Sequence, residues 1–180
     1  MINKKRVFIA LPFPDEFKTQ LREAIFELKE KLPELRWLPE ENWHITLVPP
    51  NDLSDAEIQE TKQFIESGLN FKKFEIVSSK IILGPPGKPE NNMVWLVFKN
   101  SGEFFELRNQ LNGLLGNLEN LETRPGNIHA TLAKFREFNK PAFEELAFQR
   151  DFIADRIEIW ESRLFSSGSV FNNLASINLL

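Results

Sequence analysis

Apolar positions recur along this chain with two different periods, and the switches between them mark its elements. Arg6-Val7-Phe8-Ile9-Ala10-Leu11 is a short, nearly all-apolar run closed by Pro12 and Pro14, which predicts a buried strand. Phe17, Leu21, Ile25, Leu28 and Leu32 then recur at helical spacing, one face of a helix that Asp15 can cap and Pro33 ends. Leu35-Arg36-Trp37-Leu38-Pro39 crosses over to a second strand, Trp43-His44-Ile45-Thr46-Leu47, which Val48-Pro49-Pro50-Asn51-Asp52 is expected to stop. Ser54 with Glu57 is a capping-box signature for a second helix, carrying Ile58, Thr61, Phe64 and Ile65 as far as Gly68. Phe74 to Leu83 reads as a long strand, kinked near Ser78 and Ser79, and residues 84–92 read as a loop.

The second half follows the same plan. Met93-Val94-Trp95-Leu96-Val97-Phe98 is another apolar strand, and Phe104, Leu107, Leu111, Leu114, Leu115 and Leu118 make another helical stripe. Residues 121–126 lead to a strand containing Ile128-His129-Ala130-Thr131-Leu132. Pro141 is expected to open a shorter helix with Phe143, Leu146 and Ala147 on its apolar side. Arg156 to Leu164 alternates as a strand with one wet face, and residues 170–177 supply a last strand after the turn at 166–169. Val7 and Val94 stand 87 residues apart, as do Phe17 and Phe104, while His44 and His129 stand 85 apart. So nearly constant an offset predicts an internal duplication, one domain over 1–180 built of two pseudo-symmetric halves of roughly 1–88 and 89–180.

Composition narrows the class without naming a function. The chain has 180 residues, 42% hydrophobic and 27% charged, as expected of a soluble globular protein. No apolar run approaches the roughly 20 residues of a membrane span, and the N-terminus shows no signal-peptide pattern, so a cytoplasmic location is expected. Without cysteine there is neither a disulfide framework nor a thiolate metal site. A net charge of −4 argues against a general nucleic-acid-coating surface, yet is compatible with a strand end or a small phosphorylated ligand in a local positive pocket. No obligate protein partner is evident.

The chemistry concentrates in the repeated His-x-Thr-Leu, which uses both histidines of the chain. On a strand, alternate side chains share a face, so His44 and Thr46 point one way while Ile45 and Leu47 turn inward. His129 and Thr131 do the same in front of Ala130 and Leu132. Two histidines without a third ligand of repeated position are a poor zinc site, and no Gly-x-Ser-x-Gly elbow occurs. Neither a metal nor another cofactor is expected. Phosphoester cleavage by a histidine pair remains, with one neutral ring taking a proton from water and one protonated ring supplying the leaving oxygen. The hydroxyls of Thr46 and Thr131 can hold the non-bridging oxygens.

These paired motifs in a duplicated chain of this size resemble the 2H phosphoesterase superfamily, and more narrowly the LigT-like RNA 2′,3′-cyclic phosphodiesterases, also called 2′-5′ RNA ligases. The resemblance takes in the opening Arg6–Pro12, Leu35-Arg36-Trp37-Leu38, His129-Ala130-Thr131-Leu132-Ala133-Lys134, and Leu164 to Phe171. It implies an α+β fold with two lobes, two antiparallel sheets lining a central cleft and helices outside. It also implies metal-independent hydrolysis of 2′,3′-cyclic phosphate at RNA 3′ ends, or in small cyclic-phosphate nucleotides, to a 2′-phosphate. His44 would protonate the leaving 3′ oxygen and His129 would activate water, although the sequence itself does not distinguish the two roles. Lys134 stands where the family commonly has a phosphate-holding arginine, and it keeps the charge without the bidentate fork. Phe13 is a candidate for stacking on a base at the cleft rim, and Arg124 and Arg136 for attracting phosphate. The alternatives are the same pair acting on another cyclic phosphate or nucleotide conjugate, and a non-catalytic RNA-binding module.

Overall fold

The apolar runs become the inner strands of two antiparallel sheets in the computed structural model, which describes residues 4–87, 92–119, 121, 126–135, 141–166 and 168–180. In chain order the elements are β1 (Lys5–Pro12), α1 (Asp15–Lys31), β2 (Arg36–Trp37), β3 (His44–Leu53), α2 (Asp55–Gly68), β4 (Phe74–Gly84), β5 (Met93–Phe98), α3 (Gly102–Leu114), β6 (His129–Lys134), β7 (Leu146–Ala147), β8 (Asp151–Ala154), β9 (Arg156–Phe165) and β10 (Gly168–Asn178). One sheet has the order β10-β9-β1-β3, the other β2-β6-β5-β4-β7, with β8 also paired to β4. A single apolar core runs behind both sheets, from Val7 and Ile9 through Phe17, Leu21 and Ile25 of α1 to Leu107 and Leu111 of α3.

From its motif strand outward each sheet repeats one order, β3-β1-β9 in the first and β6-β5-β4 in the second. Both sheets draw on both halves of the sequence. β4 leaves the first half to flank β5, and β9 and β10 return from the second half to flank β1. The sequence midpoint is therefore not the boundary between the sheets. β3 lies at the edge of its sheet and packs against β6 of the other.

Three local expectations change. The strand of the first motif does not stop at Val48-Pro49-Pro50-Asn51-Asp52; β3 continues to Leu53. Proline is tolerated there because β3 is an edge strand, and the pairing slips between Val7 and Ile9, where Pro49 and Pro50 sit opposite. The helix expected after Pro141 is absent: residues 141–145 are irregular and Leu146–Ala147 pair with β4. Strand pairing has overridden a weak local propensity. Asp15 lies in the first turn of α1, where its charge suits the helix dipole, and Pro14 occupies the cap position. The two other helices are capped by side chains, α2 by the Ser54–Glu57 box and α3 by Ser101.

The kink expected at the serines is where β4 changes partners, from β8 at Phe74–Val77 to β7 at Lys80–Ile81. Ser78, fully buried, manages the change. Its hydroxyl lies 2.8 Å from the Phe148 carbonyl and 2.9 Å from that of Arg150, and it accepts from the Arg150 N–H at 3.0 Å. Removing that oxygen strands a buried donor, so Ser78→Ala should lower unfolding free energy by about 1–3 kcal/mol. Urea denaturation measures this, and a loss indistinguishable from zero would show that the hydroxyl is not needed.

Candidate active site

Strand alternation delivers the first part of the expectation. Ile45, Leu47, Ala130 and Leu132 are buried, while His44, Thr46, His129 and Thr131 face the other way. What alternation cannot supply is the orientation of each ring about its own bonds. A backbone carbonyl two residues upstream does so in both motifs. His44 Nδ1–H donates to the Asn42 carbonyl at 2.7 Å, and His129 Nδ1–H to that of Asn127 at 2.8 Å. This assigns the proton of each neutral ring to Nδ1 and leaves Nε2 as the basic atom. Thr46 then donates its hydroxyl to His44 Nε2 at 3.2 Å, whereas the Thr131 hydroxyl lies 3.9 Å from the Met93 sulfur.

The asparagines went unremarked in the sequence, although both motifs are Asn-x-His-x-Thr-Leu. The bond itself uses only a carbonyl, which any residue has, so side-chain identity is explained for Asn42 alone. Its Nδ2 donates to the Ser169 carbonyl at 2.8 Å and ties the segment before β3 to the β9–β10 hairpin.

Each imidazole also has an aromatic support. His44 packs among Phe8, Trp160 and Phe171, at centroid distances of 4.9, 5.0 and 5.4 Å. His129 stacks on Trp95 at 3.7 Å with the planes 18° apart. Phe8 and Trp95 are themselves 87 residues apart, so the supports follow the same offset as the strands. Trp160 is held in turn by Glu158, which accepts from its indole N–H at 2.7 Å and from Arg156 Nε at 2.9 Å.

Burial sets the electrostatics. Desolvation pushes His44 down from 6.5 to about 4, against the Asn42 carbonyl, which raises it, and with a smaller contribution from the charge of His129. Desolvation also lowers His129, opposed by the Asn127 carbonyl. Both rings are therefore neutral at pH 7 in the free protein, and the two sites feel each other. A cavity of about 520 Å³ is lined by Thr46, Trp95, Asn127 and His129 among others, and His44 meets it through Thr46. Among the described residues no three His, Cys, Asp or Glu side chains gather as metal ligands, and no helix is long and apolar enough to cross a membrane.

Lys134 reaches the histidine side of its sheet by an irregularity. Pairing slips between Val94 and Trp95, so Leu132 and Ala133 are both buried and Lys134 comes opposite Met93, on the face Trp95 shares with His129. Exposed Lys134 also faces Arg36 across β2, and it lies outside the lining of the cavity. Phe13 is a correction. It is 1% exposed, packed edge-on to Phe17 at 5.0 Å and Phe152 at 5.5 Å, so it belongs to the core and cannot stack on a base. Phe13 turns inward between Pro12 and Pro14 to pack against Phe17 of α1, Phe98 of β5 and Phe152 of β8, which a loop position in sequence does not reveal. Arg124 and Arg136 lie outside the described residues.

With this geometry in place, residues 11–95 match the family model described as LigT like Phosphoesterase. The fold matches a crystal structure of TT0787 of Thermus thermophilus, with a TM-score of 0.80 at 20% identity over 97% of both chains. Residues 11–95 are thus similar to the LigT-like phosphoesterases, and the fold of the whole chain is that of these solved structures. Escherichia coli LigT in complex with NADP+ superposes with a TM-score of 0.77 at 16% identity over 98% of both chains. The MHV ns2 PDE domain superposes with a TM-score of 0.59 at 15% identity, over 87% of this chain and 99% of that one. No curated protein sequence matches this chain.

One glycine is fixed by the site. A Cβ on Gly84 would lie 2.2 Å from Cδ2 of Trp95, so β4 approaches the indole that carries His129 as closely as backbone can. Gly84→Ala should cost about 1–3 kcal/mol in stability through overpacking. It should also shift the His129 ring resonances, because the indole moves against the imidazole. Nuclear magnetic resonance of the two histidines reads this directly, and unchanged His129 signals would refute it.

Proposed function

We propose that this protein hydrolyses 2′,3′-cyclic phosphate at RNA 3′ ends to a 2′-phosphate, with His44 and His129 as the acid/base pair. The observation that carries the reading is the matched anchoring of two imidazoles by Nδ1, which leaves both Nε2 atoms for chemistry, His129 in the wall of a cavity and His44 hydrogen-bonded to Thr46, which also lines it. The E. coli LigT structures with 3′-AMP and with phosphate support a nucleotide-type ligand for this fold. Those with NADP+ and ATP favour testing small nucleotides too, including other cyclic phosphates and conjugates.

In the proposed reaction water attacks phosphorus as the bond to the 3′ oxygen breaks. One neutral Nε2 accepts a proton from the water, and the other, protonated, Nε2 gives one to the departing oxygen. The product is a 2′-phosphate monoester with a free 3′-hydroxyl, so atoms and protons balance. Thr46 and Thr131 supply hydroxyls for the non-bridging oxygens, and Lys134, with Arg36 beside it, supplies positive charge. Because both rings are neutral in the free protein, one of them has to take up a proton from solvent as the bound substrate anion raises its pKa. The roles implied by family resemblance, His44 as donor and His129 as base, require that anion to raise His44 well above 4.

His44→Ala and His129→Ala should each reduce the rate on a 2′,3′-cyclic-phosphate oligonucleotide by at least about 10²-fold. EDTA should leave the wild-type rate unchanged. Undiminished turnover by the double alanine variant, in a panel that includes cyclic mononucleotides and nucleotide conjugates, would overturn the mechanism. Substrate bound without any turnover would instead favour an RNA-binding module.

The pKa directions fix a sign for the pH profile. In the free protein the donor must be charged, and that fraction falls as pH rises through a pKa already below 6.5. The base must be neutral, which fails as pH falls through its own lowered pKa. kcat/KM should therefore peak on the acid side of pH 6.5, while the kcat profile, reporting the anion-bound state, moves to higher pH. A kcat/KM optimum above pH 7 contradicts the burial of the two rings.

A further inference from the structure

Residues directly opposite on neighbouring strands share a face, so strand pairing assigns the side chains that accompany His129 on its side of the second sheet. They fall into rows: Lys80, Val97 and His129; then Ile82, Trp95 and Thr131; then Gly84, Met93, Lys134 and Arg36. These rows hold no carboxylate. Lys80 is already engaged, its ammonium donating to Glu145 Oε2 at 2.8 Å. Lys134 and Arg36 are both exposed, and among the described residues neither makes an ion pair. The indole of Trp37, the next residue, packs on the core, which leaves Arg36 on the histidine side by alternation. Lys134 reaches that side only through the slip between Val94 and Trp95. Two cations set opposite one another on adjacent strands repel, and no acid in these rows relieves them. An anion between them would.

The pair stands apart from the reacting centre. Met93 and Val97, the neighbours of Lys134 and His129, are four residues apart on β5, so their rows are separated by about 14 Å. Arg108 of α3 stands in the cavity wall with His129, whereas Lys134 and Arg36 lie outside that wall. A phosphate held at the Nε2 atoms feels the field of the pair, yet lies too far along the strand to sit between its members. An RNA end carries further phosphates, one negative charge for each nucleotide on the 5′ side. We infer that Arg36 and Lys134 form a second anion site, which binds a backbone phosphate on the 5′ side of the reacting nucleotide. Arginine offers two oxygens a planar fork and lysine adds a point charge. The inference rests on the proposed use of the histidines on an RNA end, and deepens it by naming the substrate class, an oligonucleotide in preference to a cyclic mononucleotide.

The test compares 2′-AMP with a triadenylate bearing a 2′-phosphate at its 3′ end, both of which carry the product end. Each is titrated calorimetrically into the full chain at about 50 and about 200 mM salt. The wild type should bind the trinucleotide at least about fivefold more tightly at the lower salt. The fall of log K with log salt should be steeper for the trinucleotide by about 0.7 for each extra phosphate engaged. Arg36→Gln and Lys134→Gln should each weaken the trinucleotide at least about fivefold more than they weaken 2′-AMP, and remove the extra slope. Arg36→Lys, which keeps the charge without the fork, should recover part of that slope. Equal affinity and equal slope for the two ligands in the wild type overturn the inference. So do equal losses on both ligands in the glutamine variants, which would put the pair at the reacting phosphate. Should one glutamine variant fail to fold, the other decides. Hydrolysis of 2′,3′-cyclic AMP by the same preparations separates the two readings. Length-dependent, salt-sensitive binding without hydrolysis removes the catalytic proposal alone, and hydrolysis without length dependence removes the second anion site alone.

Discussion

Two N–H···O=C bonds, each spanning two residues, govern what the cleft can do. An imidazole on a strand can rotate about its side-chain bonds, and either nitrogen can present itself. Tying Nδ1 of His44 to the Asn42 carbonyl and Nδ1 of His129 to the Asn127 carbonyl removes both freedoms at once. The carbonyls are local, so each motif brings its own anchor. The aromatic supports are not local. Phe8, Trp160 and Phe171 come to His44 from three other strands, and Trp95 comes to His129 from the neighbouring one.

Those supports have an electrostatic consequence. Packing an imidazole among aromatic rings removes water from it, and the charged form loses more than the neutral form. The carbonyl anchors oppose that loss without overcoming it. The free protein thus holds two neutral imidazoles, of which His129 lines the cavity. Lys134 and Arg36, opposite one another on the sheet that carries His129, add positive field in a chain whose net charge is −4.

The strand order distributes these contributions. If each half of the chain formed its own sheet, Trp160 and Phe171, which come from the second half, would not reach His44 in the first. Because β9 and β10 flank β1 while β4 flanks β5, each histidine is supported in part from the opposite end of the sequence. The same exchange brings Gly84, from the first half, against the indole beneath His129. The hairpin of β9 and β10 is further tied to the segment before His44 through Asn42 and Ser169.

The sequence by itself determined the periods and the repeat, and with them most of the strands, the three helices and the faces of the two motifs. These are local consequences of side-chain alternation and spacing, and so they survive without knowledge of partners. Tertiary structure decided what depends on who lies alongside. β3 runs through two prolines because it has a free edge, and residues 141–147 give up a helix because β4 offers hydrogen bonds. Phe13 is taken into the core because Phe17, Phe98 and Phe152 gather there from α1, β5 and β8. Arg108, read along the helix, is one more polar residue beside an apolar stripe. Its place in the cavity wall follows from α3 packing against β3 across the two sheets, a contact between residues some sixty positions apart that no local pattern encodes.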